Sequence, residues 1–320
     1  MREKNHFFAS MPRFCAIIPN YNDGARISAS LASLFGQSRP YDEILIIDDG
    51  STDDSPAVIE RLIAGHPNAR LIRSPANKGV VPTLNAGLKL VQGDYVHMAS
   101  ANDTYNLRLI EYCEKALAQY PDLAVICGNA LFRYKESGRD RPVFMDLPQA
   151  FAYISPLAFH AKVKRSPITF FGGSIVMRHR DVMNAGGLQE SLCWHTDWLV
   201  YYLLAFRSGL YFIPESLVQI EVANESYSSQ AMVWSRQRDV IYALITFIAK
   251  QDEYMRQRWR SAAMLPTYNL RALGLLWRPE CRWYITPLLL WRLLIHTVSY
   301  RLKYYLPRGW LIKMRKVVRV

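Results

Sequence analysis

Between residues 14 and 131, short apolar runs alternate with longer segments in which apolar residues recur at spacings of three and four. The apolar runs predict buried strands at residues 14–18, 43–47, 69–72, 95–99 and 123–127. The segments between them predict helices at residues 27–35, 55–64, 80–91 and 108–119. Repeated βα units of this kind indicate an α/β domain with a mostly parallel sheet flanked by helices.

The second half of the chain is less regular. Residues 133–170 contain four prolines and are interpreted as an insertion or a set of active-site loops. A strand at 170–177, a helix at 178–185 and a helix from near Asp197 to residue 207 are predicted to follow. Residues 231–260 predict one charged amphipathic helix, and 261–320 combine Leu, Trp and Tyr with Arg and Lys. We therefore expect a catalytic α/β domain at 1–230 and a helical, basic and amphipathic C-terminal region at 231–320.

The positive charge of the chain is concentrated in that C-terminal region. The net charge is +12, yet residues 231–320 hold 17 of the 39 Lys and Arg and 4 of the 27 Asp and Glu, which leaves residues 1–230 at −1. Tryptophan and leucine interleaved with arginine, among them Arg292, favour contact with a lipid surface over a nucleic-acid partner. The alternatives are a nucleic-acid-binding tail and a helical pair packed on the first domain with its arginines solvated.

Composition excludes several protein classes. A chain with 50% hydrophobic residues has enough apolar material for a large core, which excludes intrinsic disorder. Five scattered cysteines without a C-x-x-C pair suggest neither a disulfide framework nor a zinc ribbon. We recognise no signal peptide, and the apolar stretch 284–298 is interrupted by Pro287, Arg292 and His296, so we expect no transmembrane helix. These features predict a cytoplasmic protein that is peripheral at the inner face of a membrane.

Polar motifs follow the predicted strands, where parallel sheets bind their ligands. They read Pro19-Asn20-Tyr21-Asn22, Asp48-Asp49-Gly50-Ser51 and Asn77-Lys78-Gly79. A carboxylate at a strand end can accept hydrogen bonds from a base N–H or a ribose hydroxyl. The alternative for the second motif is a turn in which Ser51, Thr52 and Asp53 cap the next helix.

Together with Asn85-Ala86-Gly87 and Gly93-Asp94-Tyr95, these motifs resemble the GT-A glycosyltransferases of family 2 over roughly residues 13–225. The resemblance implies an inverting enzyme that moves a sugar from a nucleotide-diphospho-sugar to a hydroxyl of a glycan or lipid-linked acceptor, in cell-surface polysaccharide assembly. The alternative is a non-catalytic nucleotide- or glycan-binding module of the same fold. The implied donor-site residues are Pro19, Tyr21 and Asp49 around the nucleoside, Asp48 and Gly79 in the same pocket, and Asp103 near the diphosphate.

The metal motif of the family is altered in this chain. Family members carry a D-x-D after the fourth strand, because a diphosphate needs a divalent cation and hard cations prefer carboxylate oxygen. Here the segment reads Ser100-Ala101-Asn102-Asp103, which leaves Asp103 and, weakly, Asn102 as the implied ligands of Mn²⁺ or Mg²⁺. Leu84 also replaces an arginine that meets the diphosphate in many relatives, and residues 219–226 lack the metal-binding histidine of the family, where Glu221 or Glu225 is a possible substitute. The chain therefore has fewer candidate metal ligands than the pattern of the family.

The acceptor side is implied by Trp194-His195-Thr196-Asp197-Trp198, which stands where relatives carry an acidic residue that opens a helix. Asp197 is then the base that takes the proton of the acceptor hydroxyl; the alternative is a helix N-cap formed by Thr196 or Asp197. Gly172 and Gly173 resemble the acceptor-side loop, His195 is a candidate for orienting Asp197 or the acceptor, and Trp194 and Trp198 are candidates for stacking on pyranose faces. Core packing is the alternative for all five residues.

Overall fold

A computed structural model describes residues 11–134, 138–222 and 234–302 of the chain, with side chains as far as residue 298. The strands are β1 (Phe14–Asn20), β2 (Glu43–Asp48), β3 (Ala69–Arg73), β4 (Tyr95–Met98), β5 (Thr104–Tyr105), β6 (Val125–Tyr134), β7 (Arg139–Val143), β8 (Ala152–Ile154), β9 (Ile175–Arg178) and β10 (Leu210–Val222). The helices are α1 (Ile27–Phe35), α2 (Ser55–Ile63), α3 (Val80–Leu90), α4 (Leu109–Gln119), α5 (Pro156–Arg165), α6 (His179–Asn184), α7 (Thr196–Ser208), α8 (Trp234–Ala249), α9 (Glu253–Ser261), α10 (Leu273–Leu276) and α11 (Pro287–Leu302). Short 3₁₀ turns lie at 172–174, 190–195, 270–272 and 282–284.

The strands form one sheet in the order β3-β2-β1-β4-β9-β6-β10-β5, with β7 paired to β6 and β8 paired to β10. The first four strands of that order are parallel neighbours. β9 is antiparallel to both β4 and β6, so β6 and its parallel partner β10 run in the same direction as β4. The carboxyl ends of β1, β2, β4 and β10 therefore meet at one edge of the sheet.

The helices cover this sheet because their apolar faces pack on its buried strands. Helix α3 approaches most closely at Gly87, where a Cβ atom would lie 2.5 Å from Ile17 Cγ2 and 3.0 Å from Ile47 Cδ1. Glycine is required there for the close approach, since any side chain would push α3 away from β1 and β2. The predicted α/β architecture is confirmed over residues 14–119.

Three predictions about the second half of the chain were wrong in detail. Residues 133–170 are not mainly loops, because β6 continues to Tyr134, pairs with β7 as a hairpin and is followed by β8 and α5. The strand predicted at 170–177 begins only at Ile175, because residues 172–174 form a 3₁₀ turn. The single helix predicted at 231–260 is two helices in the described part, with Asp252 capping α9 by accepting a hydrogen bond from Met255 N at 2.8 Å.

The helices after residue 234 pack on α5 and α7. Trp259 of α9 is fully buried and forms edge contacts with Trp198 and Phe206 of α7, at ring-centroid distances of 5.5 Å and 5.8 Å. Tyr254 donates a hydrogen bond to Phe206 O at 2.8 Å. The division of the chain at residue 230 stays a prediction, but the described helices share a continuous core with the α/β part.

Arg292 of α11 is buried, which corrects the prediction that it takes part in contact with a lipid surface. Its Nη2 donates to Val163 O at 2.8 Å and Lys164 O at 3.0 Å, in the last turn of α5. Its Nη1 donates to Ala262 O and, at 3.3 Å, to Ala263 O, just beyond the end of α9. A cation that satisfies the terminal carbonyls of two helices holds α5, α9 and α11 together.

In the described ranges, no helix is long and apolar enough to cross a membrane.

Replacement of Arg292 by Met is expected to lower the free energy of unfolding by about 3 kcal/mol, because it leaves buried carbonyls without a donor. The matched control is Arg271→Met, at an exposed arginine whose side chain makes no ion pair in the described part of the chain. Urea denaturation of both variants checks this. Equal midpoints for the two variants would contradict the role of Arg292.

Candidate active site

Asp48, at the end of β2, holds the turns that follow β1 and β2. It is 2% exposed and accepts hydrogen bonds from Asn20 Nδ2 at 2.8 Å, Ser51 N at 3.1 Å and Ser51 Oγ at 2.5 Å. Asn20 ends β1, directly beside Asp48 in the parallel register. Asp48 thus holds the base of the predicted pocket. Asn20 is its hydrogen-bond partner, and the sequence alone assigned no role to Asn20.

Asp49 connects β2 to the start of α3. Its carboxylate is 3% exposed and accepts hydrogen bonds from Lys78 N at 3.1 Å and Gly79 N at 2.8 Å. Gly79 is the N-cap of α3 with a φ of 93°, and no atom lies within 4 Å of the place where a Cβ would stand. The glycine is therefore needed for its backbone conformation, and the space in front of the α3 N-terminus is open. The free N–H groups of a helix N-terminus are suited to phosphate oxygens.

The loop after β1 carries the predicted nucleoside residues. Pro19 is half-buried within β1, and Tyr21 is 44% exposed at the edge of the sheet. Asn22 has a φ of 53°, a conformation that asparagine tolerates, and its Oδ1 accepts a hydrogen bond from Thr52 N at 2.8 Å. The loops after β1 and β2 are thus joined, with Tyr21 free to contact a ligand.

Of the alternative interpretation of this motif as a turn that caps the next helix, only a turn at Asp53 is found. Its Oδ1 accepts a hydrogen bond from Ser55 N at 3.0 Å. The N-cap of α2 is Asp54, which makes no side-chain cap hydrogen bond. Ser51 instead contacts Asp48, and Thr52 contacts Asn22. The motif therefore serves both the helix and the strand-end pocket.

Asp103 lies at the same edge, between β4 and β10. It is 7% exposed, and its Oδ1 accepts a hydrogen bond from Glu221 N at 3.4 Å. Burial raises the pKa of Asp103 to about 6, and the nearby Glu221 charge adds to the shift. The neighbouring Ser100 is fixed by its backbone, since Ser100 N donates to Tyr105 Oη at 2.7 Å and Ser100 O accepts from Ser30 Oγ at 2.8 Å.

The donor set around Asp103 does not make a metal cage. Within residues 11–134, 138–222 and 234–302, no group of three or more His, Cys, Asp and Glu side chains could hold a metal ion. Asp103 is the carboxylate of the altered motif, and the amide of half-buried Asn102 is a weak ligand for a hard cation. The described residues around Asp103 thus provide one carboxylate and a weak amide ligand, and the dependence on a metal stays a prediction.

Asp197 lies in the first turn of α7, facing a glycine. Its Oδ1 accepts a hydrogen bond from Trp198 N at 2.6 Å, and its Oδ2 accepts one from Tyr201 Oη at 3.4 Å. Oδ2 would be 3.3 Å from a Cβ at Gly172, so the missing side chain leaves that side of the carboxylate open. Burial raises the pKa of Asp197 to about 6. A half-buried carboxylate with such a pKa is suited to accept a proton near neutral pH.

The N-cap alternative for Thr196 and Asp197 is wrong, because α7 begins at Thr196 and its N-cap is His195, with no side-chain cap hydrogen bond. Tyr201 was not identified from the sequence as a site residue. The available signal is its position four residues after Asp197, which places the two on the same helix face.

Gly173 is explained by packing. A Cβ there would lie 2.9 Å from Val218 Cγ2 and 3.2 Å from Tyr105 Cε1, and Gly173 O contacts His97 Nε2 at 2.9 Å. The turn at 172–174 is therefore fixed from below by β10 and β5. This fixes the distance between Gly172 and Asp197, whereas direct contact of Gly173 with an acceptor stays a prediction.

The aromatic residues around Asp197 form a packed cluster. Trp198 lies 5.1 Å from Tyr202 and 5.5 Å from Trp259 between ring centroids, so most of its contacts are within the protein. His195 lies 5.8 Å from the Trp194 ring, and its Nε2 is buried without a hydrogen-bond partner among the described residues. Burial lowers the pKa of His195 to about 4, which keeps its ring neutral. His195 forms no hydrogen bond with Asp197, so the structure gives no support to an orienting role toward Asp197, and contact of His195 with the acceptor stays a prediction.

The fold agrees with the comparisons to known proteins. The model of the family "Glycosyl transferase family 2" matches residues 15–187, more than half of the chain. The protein belongs to glycosyltransferase family 2. It is 34% identical over 94 residues to an uncharacterized glycosyltransferase of Haemophilus influenzae, a match that covers 29% of this chain and 38% of that protein. It is 31% identical over 117 residues to the chondroitin synthase of Escherichia coli, covering 37% of this chain and 17% of that protein. The aligned part therefore spans less than two fifths of these relatives.

Solved structures confirm the GT-A fold of this family 2 member. S. aureus TarS 1–349 in complex with UDP-GlcNAc superposes with a TM-score of 0.63 at 17% identity, covering 78% of this chain and 70% of that chain. The mannosyltransferase PcManGT from Pyrobaculum calidifontis, in complex with GDP-Man and Mn²⁺, gives a TM-score of 0.53 at 18% identity, covering 89% and 86% of the two chains. At these identities the likeness concerns the fold alone.

Proposed function

We propose that this family 2 protein transfers a sugar, with inversion, from a nucleotide-diphospho-sugar to a hydroxyl of a glycan or lipid-linked acceptor. The observation that carries the proposal is the open Asp197 carboxylate opposite Gly172, at an edge of the sheet whose other polar residues suit a nucleotide. The relatives and neighbours bear names of polysaccharide synthases and sugar transferases, which supports a role in polysaccharide assembly.

The donor is placed by the strand-end residues. In the proposal, Pro19 and Tyr21 contact the nucleoside, and Asp49 accepts a hydrogen bond from the base while it holds the Gly79 loop. The open N-terminus of α3 and Asp103 lie near the diphosphate. Because TarS and PcManGT were crystallised with UDP-GlcNAc and GDP-Man, UDP and GDP are donor nucleotides to test. dTDP is a third, since its base also offers an N–H to a carboxylate.

Asp197 supplies the base. The acceptor hydroxyl enters on the Gly172 side, its proton moves to the Asp197 carboxylate, and its oxygen forms a bond to the anomeric carbon. The bond from that carbon to the diphosphate oxygen breaks on the opposite face, and the electron pair leaves with the diphosphate. Tyr201, which donates to Asp197 Oδ2, keeps the carboxylate aimed at the acceptor.

No step of this mechanism depends on a divalent metal, because the described residues around Asp103 do not include a group of three or more metal-binding side chains. The role of Asn102 and Asp103 as metal ligands stays a prediction, and when bound, a metal would neutralise charge on the leaving diphosphate.

A second candidate is a non-catalytic nucleotide-binding module, which the loss of carboxylates at Ser100 and Asn102 favours. Transfer or donor hydrolysis by the purified protein distinguishes the two, because a binding module shows neither.

Asp197→Asn is expected to reduce transfer at least about a hundredfold, since the proton acceptor is lost, with donor affinity close to wild type. In the wild type, kcat/KM is expected to fall tenfold per pH unit below about pH 6, where Asp197 becomes protonated. The matched variant is Asp54→Asn, at an exposed carboxylate. A variant at Asp197 that keeps full turnover would overturn the base assignment.

Asp197→Asn is also expected to be more stable than the wild type at pH 8. The folded-state pKa of Asp197 lies above its ordinary value, so ionisation opposes folding and its cost is fully present above about pH 6. Asparagine lacks this cost, and the thermal midpoint is expected to rise by about 2 °C at pH 8 and not at pH 4. If the Asp197 carboxylate served only to stabilise α7, Asp197→Asn would instead lower the thermal midpoint at pH 8.

The C-terminal region is proposed to place the enzyme peripherally on the cytoplasmic face of a membrane. Helix α11 carries a stripe of exposed apolar residues, Leu290, Trp291, Leu294 and Val298, which are 38% to 53% exposed. Arg278 and Arg282, both exposed, precede this stripe. Apolar side chains that enter the acyl boundary beside cationic groups suit an anionic bilayer.

The variant Trp291→Gln/Leu294→Gln is expected to stop the protein from sedimenting with vesicles of phosphatidylcholine and phosphatidylglycerol. Leu107→Gln/Leu157→Gln, at exposed leucines outside the stripe, is the control and is expected to sediment like wild type. Loss of binding in both variants, or in neither, would contradict a docking role for α11.

A further inference from the structure

A groove of about 1010 Å³ lies outside the candidate active site, on the C-terminal helices. His160 of α5 forms one wall, α9 forms the floor, and Trp283 and Thr286 line the side that leads into α11. None of these residues has a role in the proposed transfer reaction.

The groove has an excess of positive charge. Arg256, Arg258 and Arg260 line it together with one carboxylate, Glu253. Glu253 is paired with Arg256, whose Nε donates to it at 3.1 Å. In the described part of the chain, neither Arg258 nor Arg260 has a carboxylate within 4.0 Å. Both guanidinium groups therefore lack a neutralising carboxylate, although Arg260 Nη2 donates to Ile285 O at 3.4 Å.

Arg258 is held in place before any ligand arrives. Its Nη1 donates to His160 Nδ1 at 2.9 Å, and its guanidinium lies 5.0 Å from the Tyr254 ring centroid. Since Nδ1 of His160 accepts, its Nε2 carries the proton and donates to Ser261 Oγ at 2.8 Å. Burial and then the Arg258 charge lower the pKa of His160, so the ring stays neutral. A guanidinium fixed in this way loses little conformational entropy on binding.

Trp283 and Thr286 line the side of the groove that leads into α11. Trp283 Nε1 is buried and out of reach of a ligand in the groove. Thr286 Oγ1 accepts a hydrogen bond from Leu289 N at 3.1 Å and so caps the 16-residue helix α11, whose first residue, Pro287, has no N–H. The positive end of the α11 dipole thus lies beside the groove.

We propose that this groove binds a phosphate group, carried by a lipid headgroup or free in solution. A phosphate has several acceptor oxygens in the geometry that guanidinium forks recognise, and it matches two arginines that have no carboxylate partner, beside the positive end of a helix dipole. The groove adjoins the apolar stripe of α11, because Leu290 follows Thr286 by one helical turn. A headgroup bound in it would orient the chain on the bilayer.

The test compares Arg258→Gln/Arg260→Gln with Arg236→Gln/Arg271→Gln, which removes the same charge from exposed arginines outside the groove. Inorganic phosphate, with chloride at equal ionic strength as reference, is expected to raise the thermal midpoint of the full chain. The groove variant is expected to bind phosphate about tenfold more weakly, and the control within about twofold of wild type. An equal loss of phosphate affinity in the two variants, or no effect of phosphate on the thermal midpoint of the wild type, would overturn the proposal.

Sedimentation with phosphatidylcholine vesicles, with and without phosphatidylglycerol, identifies the source of the phosphate. If the groove variant no longer sediments with vesicles that contain phosphatidylglycerol while its control still does, the ligand is a headgroup. If wild type binds phosphate but no vesicles, the groove takes free phosphate and membrane docking is wrong. If vesicle binding is independent of the groove arginines and phosphate has no effect, the groove proposal fails while membrane docking by α11 stands.

Discussion

Two neighbouring carboxylates at the end of β2 hold together the loops on which the candidate donor site depends. Buried carboxylates are costly unless their oxygens accept hydrogen bonds. Asp48 obtains these from Asn20 and Ser51, and Asp49 obtains them from the backbone of Lys78 and Gly79. Each bond fixes a different loop, so the ends of β1, β2 and β3 are bound to one point. The open N-terminus of α3 exists because Asp49 holds Gly79 at a positive φ.

On the acceptor side, the backbone of the turn at 172–174 leaves space next to the Asp197 carboxylate. Gly173 is packed beneath by Val218 and Tyr105, and this places Gly172 against Asp197 without a Cβ between them. Burial keeps Asp197 near the pKa that proton transfer at neutral pH requires. The cost of a half-buried carboxylate is thus explained by its proposed chemistry.

Local patterns in the sequence were sufficient for the first half of the fold and for the position of Asp49 and Asp103. Apolar runs and helical periods place βα units within a few residues, and parallel strands direct their ends to one edge. The pattern did not predict β9 as an antiparallel strand between β4 and β6, because strand neighbours are chosen by contacts far apart in sequence. It also failed for Arg292, since an arginine among Leu and Trp looks the same whether it faces lipid or caps α5 and α9. Tyr201 and Asn20 gained their roles only through their contacts with Asp197 and Asp48.

The central claim is that the edge formed by Asp48, Asp49 and Gly79 binds the nucleotide of a sugar donor. It is tested most directly by calorimetric titration of wild type and Asp49→Asn with UDP, GDP and dTDP, each with Mn²⁺ or EDTA. The account predicts that one nucleotide binds the wild type, that Mn²⁺ changes its affinity little, and that Asp49→Asn weakens it by at least about tenfold. Failure of every nucleotide to bind a folded wild type, or equal affinity in the variant, would contradict it.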